Sequence, residues 1–261
     1  MAQEAVARPA ATILLLRDGA NGLEVFMVVR HHAIDFASGA LVFPGGRVED
    51  SDHALAVQLG APDPAAGAFQ LAAIRETFEE CGVLLARPAF CPVLIGAETL
   101  RRVEDAHRAP LNAGTIAFGT ILAEHNLQPA TDLLVHYAHW ITPANQPKRY
   151  DTHFFLAAAP AEHVAVHDGH ESVDSIWISP NDALKGTEEG RYKLVFATQM
   201  NLQKLARSAT VAEAIAAAQA STVVTVQPRS TKIDDTRRKL LIPEEAGYGG
   251  SEFIVDLPPA S

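Results

Sequence analysis

The sequence predicts an α/β protein built on a mixed sheet. Short apolar runs of strand character alternate with longer segments of helical character, and the first two runs flank a tight turn. The alternation calls for helices packed on a sheet, and the opening hairpin makes at least one strand pair antiparallel. With 261 residues against roughly 150 per domain, the chain suits one elaborated domain or one domain with an appendage.

Residues 12–17 and 23–30 are apolar and surround the turn formers at 18–22, among them Gly19 and Gly22, so they read as a β-hairpin. A third strand-like run, 40–43, ends at Pro44-Gly45-Gly46, where two glycines permit close backbone approach. The residues after it read as a loop that continues to Asp63-Pro64. Aspartate as N-cap and proline at the first helical position start a helix there, and Gly82 marks its end just past Cys81. Residues 96–138 read as a helical insertion, with helical stretches at 98–107 and 115–125. Strand signals return at 139–142, 152–157 and 173–178. Ser179-Pro180 opens another helix, residues 191–207 and 210–220 look helical, and 223–226 is β-like before a polar tail. This divides the chain into a domain at 8–207 and a C-terminal helix with an extended tail, 208–261, packed on it.

Composition excludes several function classes. Twenty-one basic against 31 acidic residues give a formal charge of −10, which argues against nucleic-acid binding through net charge. No apolar run approaches the roughly 18 residues of a membrane span, and residues 1–9 lack a secretory-signal pattern. Cys81 and Cys91 are too few for a disulfide framework. A cytoplasmic setting without membrane or nucleic-acid partners is the expectation.

The chemistry concentrates in residues 75–83. Glu76, Glu79 and Glu80 stand at i, i+3 and i+4, so at 100° per residue the latter two lie about 60° to one side and 40° to the other of Glu76. Leu71, Ile74, Phe78 and Cys81 fall on the opposite face, which anchors the helix while its acids point outward. Three such charges repel one another unless a cation lies among them. Oxygen ligands select Mg²⁺, Mn²⁺ or Ca²⁺ over zinc. Arg75, four residues before Glu79, is spaced to hold that carboxylate. Glu80 reads as an exposed acid whose neutralisation costs little stability. Arg47, beside the glycine turn, is placed to meet a phosphate. His31-His32, the pair His167 and His170, and Lys148-Arg149 read more simply as exposed turn residues, and Cys81 as a packed thiol.

Arg75, Glu76, Glu79, Glu80, Gly82 and Val83, with Thr77 in the first apolar position, resemble the second half of the box of the Nudix hydrolases, Arg-Glu-U-x-Glu-Glu-x-Gly-U. The first half departs: counted from Gly46, the acidic position is Asp52, and 22 residues separate it from Arg75 where the family has seven. Phe43-Pro44-Gly45-Gly46, Trp140-Ile141-Thr142-Pro143, residues 149–156, and Glu171 followed by Trp177-Ile178-Ser179-Pro180 are similar to the coenzyme A diphosphatase branch, which tolerates an insertion inside the box. Gly39 sits where that branch's additional motif expects it, but Asp35 stands in place of an arginine.

The resemblance implies a Nudix-like α/β/α sandwich with a helical insertion and a C-terminal extension. It implies hydrolysis of a diphosphate linkage in a small nucleotide substrate, with Mg²⁺ or Mn²⁺ held by Glu76, Glu79 and Glu80. Coenzyme A or acyl-CoA comes first among substrates, and ADP-ribose or dinucleotides come second. Arg75 then orients the acids, Gly45, Gly46 and Arg47 contact substrate, and the base is one of the glutamates, Glu79 among them, or the loop acid Glu171. A Nudix-like module that senses a nucleotide without cleaving it is the competing reading, and a plain acidic helix the third. The insertion and tail are candidates for shaping the pocket or a homodimer interface.

Overall fold

The computed structural model describes residues 5–30, 39–165 and 172–256. In chain order the elements are β1 (Arg8–Gly19), β2 (Gly22–Arg30), β3 (Leu41–Val42), β4 (Gly45–Arg47), α1 (Asp50–Gln58), α2 (Pro64–Cys81), β5 (Ala86–Pro88), α3 (Ala97–Asn112), α4 (Phe118–Glu124), β6 (Leu127–Pro129) and β7 (Val135–Ile141). There follow β8 (Tyr150–Ala158), β9 (Ser172–Ile178), α5 (Pro180–Glu188), α6 (Phe196–Leu205), α7 (Val211–Gln219), β10 (Thr225–Val226), β11 (Arg229–Lys232), β12 (Arg237–Leu241) and β13 (Glu252–Asp256).

The main sheet runs β10-β7-β8-β1-β2-β3, with β4 on β1 and β9 on β2. It is mixed, because β1 runs parallel to β8 and β10 parallel to β7 while the other pairs are antiparallel. β1 is the central strand. Ile13, Leu14, Leu15 and Leu16 are all fully buried, as a strand covered on both faces requires, and this explains a continuous apolar run in place of strict alternation. Ile13 and Leu15 pack with Leu71, Ile74 and Phe78 of α2 on one side. Leu14 and Leu16 pack with Met200, Leu202 and Ala214 of α6 and α7 on the other. The result is an α/β/α sandwich.

Helix α2 carries the acids and is tightly bounded. The Asp63 side chain accepts from the N–H groups of Ala65 and Ala66 at 3.0 and 3.2 Å, Pro64 occupies the first turn, and Gly82 ends the helix in the left-handed region at φ +69°. Its apolar face is buried at Leu71, Ile74, Phe78 and Cys81.

The segment after the glycine turn differs from the loop reading. β4 pairs with β1, placing Ala11 opposite Gly46, and α1 follows. Glu49 and Asp52 form a reciprocal capping box at the start of α1. A short acidic helix set by two carboxylate caps and by packing on α2 leaves little apolar periodicity to read. The helical insertion also ends earlier than expected: α3 and α4 span it only to Glu124, after which β6 pairs with β5 and β7 begins at Val135. Residues 191–195 precede α6 and are not helical. The tail is more ordered than an extended segment. β11, β12 and β13 form an antiparallel sheet, and Ile242, Ala246 and Tyr248 join the core on the α6 side. There Trp140 Nε1 donates to Tyr248 Oη at 2.9 Å, and that hydroxyl donates to Asn201 Oδ1 at 2.8 Å.

Candidate active site

The site forms where the C-terminal half of α2 meets the turn between β3 and β4. Gly45 is required by close approach, since a Cβ there would strike the Ala11 carbonyl oxygen and lie 2.6 Å from Thr12 Cα. The Gly45 N–H donates to Glu80 Oε2 at 3.0 Å. Gly46 lies against the Glu76 carboxylate, which occupies the space a side chain would take. Backbone and acid are therefore packed as one unit.

Arg75 organises the rest. Its side chain is 3% exposed and makes a two-point contact with Asp52, Nε to Oδ1 at 3.1 Å and Nη2 to Oδ2 at 3.0 Å. Nη1 donates to Glu76 Oε1 at 2.9 Å and to Glu79 Oε2 at 3.0 Å, and Nη2 donates to the Arg47 carbonyl at 2.8 Å. Burial acts to lower the Arg75 pKa, but the bond to Asp52 and the charges of Glu76, Asp52 and Glu79 outweigh it, so the guanidinium is held firmly charged. Asp52 thus stands at the end of a 22-residue gap in sequence yet touches Arg75 in space. Sequence reading found this acid by counting from Gly46 but gave it no role.

Glu79 is half-sunk in the same network. Burial raises its carboxyl pKa above the ordinary value, Arg75 pulls it back, and the charges of Glu49 and Asp52 add to the rise. Its backbone carbonyl, left over near the end of α2, accepts from Arg108 Nε at 3.0 Å and Asn112 Nδ2 at 3.4 Å. These α3 residues cap a helix end that has no partner of its own there, and nothing local in the sequence marks them for it.

The expected outward trio of acids is thus redistributed. Arg75 bridges Glu76 and Glu79, and Glu80 is buried at 7% exposure with its oxygen on the Gly45 N–H. Glu80 is not the exposed acid that the helix pattern suggests, because β4 covers that side of α2. Among the described residues, the group of three ligating side chains whose donor atoms all lie within 4.8 Å of one another is His139, Asp151 and His153, not these glutamates. One guanidinium nevertheless meets three carboxylates, Asp52, Glu76 and Glu79, Glu80 follows on the same helix, and this all-oxygen set with surplus negative charge has the chemistry of a hard divalent cation site.

Glu76, Glu79, Gly45, Gly46 and Arg47 line a cavity of about 830 Å³. Its further walls include Phe118 from the insertion, Phe154, Phe196 and Leu240, so the lining combines charged and apolar side chains. Arg47 is exposed at the rim. Arg149 faces inward instead: it is buried and donates to the carbonyls of Thr142 and Ala5 at 3.1 and 2.7 Å. Glu171, His167, His170, His31, His32 and Asp35 lie outside the described residues.

The family description of the NUDT19 Nudix domain matches residues 54–197. A Caenorhabditis elegans protein named for the nudix hydrolases is 30% identical over 193 residues, 72% of this chain and 56% of that protein. The acyl-coenzyme A diphosphatase NUDT19 of Gallus gallus is 27% identical over 210 residues, 62% of this chain and 55% of its own length. The chain spans about half the length of the curated relatives it matches. The crystal structure of a NUDIX hydrolase from Alicyclobacillus acidocaldarius superposes with a TM-score of 0.70 at 28% identity, covering 81% of this chain and 96% of that one.

Proposed function

The chain belongs to the Nudix hydrolases, within the NUDT19 Nudix domain family, and from that premise we propose that it hydrolyses the diphosphate linkage of a nucleoside diphosphate derivative, with coenzyme A or acyl-CoA first. The observation that carries this reading is the Asp52–Arg75–Glu76/Glu79 network opening onto a cavity whose walls also include apolar side chains. The acidic walls suit an anhydride brought in with a cation. The apolar walls suit the pantetheine and acyl portion that distinguishes coenzyme A esters from ADP-ribose and dinucleotides.

Glu76, Glu79 and Glu80 would hold Mg²⁺ or Mn²⁺. A divalent cation there supplies neutralisation of phosphate oxygens and a lowered pKa for coordinated water. Asp52 fixes Arg75, and Arg75 fixes the carboxylates of Glu76 and Glu79, so the acids are in place before substrate arrives. Gly45 and Gly46 let the turn lie close against β1 and the Glu76 carboxylate, and Arg47 meets phosphate oxygens at the rim. Glu79 takes the proton of the attacking water, a task suited to a carboxylate whose proton affinity is raised by burial. Water then adds to phosphorus, the bridging P–O bond breaks, and a nucleotide and a phosphorylated fragment leave. Glu171 is the alternative base.

The test is turnover of coenzyme A, acetyl-CoA, ADP-ribose and diadenosine polyphosphates with Mg²⁺, with and without chelator. Cleavage of the coenzyme A compounds, abolished by chelator and by Glu79→Gln, is expected. Preferred cleavage of ADP-ribose or dinucleotides would reassign the substrate. Tight binding of a nucleotide without cleavage of any would make the chain a sensor.

A further inference from the structure

Strands β7 and β8 build a second cluster of ligating side chains, which the proposed reaction does not use. On β8, Tyr150, Thr152 and Phe154 line the cavity, so the alternating Asp151 and His153 project from the opposite face of the sheet. His139 is the register partner of His153, and their rings stack with centroids 4.0 Å apart. His136 joins them through a bulge. The register shifts between His136 and Ala138, and the extra residue returns to one face two histidines that an unbroken strand would send to opposite faces.

The contacts of the cluster orient it. His139 Nδ1 meets Thr225 Oγ1 of β10 at 2.8 Å, and its Nε2 meets Asp151 Oδ1 at 2.5 Å. His153 Nδ1 meets His136 Nε2 at 3.0 Å. With the shared proton on His153 Nδ1, the lone pair of that ring is left on Nε2. Phe69 of α2 packs on the His153 ring at 4.2 Å between centroids and restrains it. One ligand atom each from His139, Asp151 and His153 then lies within 4.8 Å of the other two.

We propose that His139, Asp151 and His153 bind a borderline transition-metal ion of the Zn²⁺ class, with His136 and Thr225 as positioning residues. Imidazole nitrogens favour such ions over Mg²⁺, which prefers oxygen. Tetrahedral zinc with bonds of about 2.1 Å places its donors about 3.4 Å apart, so small side-chain rotations close the trio around an ion. Three protein ligands leave one position for water. The ion ties β7 to β8 and, through Thr225, to the edge strand β10, so it acts on the sheet rather than on the diphosphate.

The experiment titrates the metal-stripped full chain with Zn²⁺ alone, in a background of excess Mg²⁺ to occupy hard oxygen sites, and reads stoichiometry by calorimetry and melting temperature by scanning. Co²⁺ in place of Zn²⁺ reports nitrogen ligation through its visible absorption. One equivalent of Zn²⁺ is expected, with a rise in melting temperature of about 5 °C at a hundredfold excess over Kd. His153→Ala and His139→Ala each weaken binding about 100-fold or more, whereas Asp151→Asn and His136→Ala weaken it about 10-fold. Glu79→Gln leaves Zn²⁺ binding unchanged. Asp151→Asn keeps the residue's shape, so it reports ligation if an alanine variant folds poorly. Absence of tight Zn²⁺ binding in the parent, or affinity unchanged in both His153→Ala and Asp151→Asn, would overturn the assignment.

Discussion

The acidic network on α2 and the imidazole cluster on β7 and β8 solve the same problem in opposite ways. Each crowds like groups onto a few square ångströms. The acids are held apart by an internal cation, since Arg75 lies between Glu76 and Glu79 and is itself locked by Asp52. At His153 charge is shed instead: burial first, then His139 and His136, bring that ring down to about 4, so it is neutral at pH 7 and can stack. The difference teaches that closeness of ligating groups and formal charge are separate properties. Among the acids a guanidinium offsets the crowding, whereas at His136 and His153 burial favours the neutral ring.

Removing the internal cation is the strongest way to break the comparison. Arg75→Met leaves Asp52 buried at 1% exposure without its partner and lets Glu76 and Glu79 repel. Loss of one member of a buried ion pair costs about 3–5 kcal/mol, so the urea midpoint should drop sharply and turnover should vanish with it. A variant of parental stability would mean that Arg75 only decorates the site.

Glu80→Gln sharpens the role of the buried acid. The amide oxygen still accepts the Gly45 N–H, so stability should change by about 1 kcal/mol or less, while Mg²⁺-dependent turnover should fall about 1,000-fold, roughly 4 kcal/mol of barrier. Steady-state kinetics beside a thermal melt separates the two effects. Near-normal turnover would remove Glu80 from the cation site.

The two glycines should then part company. Gly45→Ala drives a methyl into the backbone of β1, at the Ala11 carbonyl and Thr12, and should cost about 2 kcal/mol or more of stability. Gly46→Ala first meets the Glu76 carboxylate, a side-chain end that can yield. It should leave the melting temperature within a few degrees of the parent but lower turnover about 10- to 100-fold by displacing that acid from Arg75. Equal losses of stability in both would erase the distinction.

What the sequence discloses follows the reach of its signals. Helix α2 is legible to the residue because its caps, Asp63-Pro64 and Gly82, and its apolar face are local. The hairpin β1–β2 is legible for the same reason. The Arg75–Glu79 contact follows from i, i+4 geometry alone. Helix α1 is not legible, since it is nine residues long and gains its order from Glu49 and Asp52 rather than from periodicity. Asp52 can be located by counting but not assigned, because its bond to Arg75 depends on α1 folding back across α2. The burial of Glu80 is hidden too, for it depends on β4 pairing with β1. The histidine cluster needs both the β7–β8 register and a bulge, and neither leaves a pattern along one strand.

The smallest expected effect concerns a histidine outside both clusters. His163 is buried, and its Nε2 donates to the Ile95 carbonyl at 2.8 Å, while its Nδ1 is enclosed without a hydrogen-bond partner. A proton on Nδ1 would be a buried donor with nothing to receive it. Burial accordingly lowers the pKa below its ordinary 6.5, although the Ile95 carbonyl and the charge of Glu162 push the other way. The unfolded chain therefore binds a proton below about pH 6.5 that the folded chain refuses, and stability should fall as pH drops below that value. His136 and His153 contribute with the same sign. His163→Gln offers an amide N–H to Ile95 and cannot titrate, so its stability against pH between 7.5 and 5, measured by urea unfolding with chelator present, should slope less steeply than the parent's. An identical slope would mean that His163 takes up its proton as readily in the fold as out of it, through water reaching Nδ1.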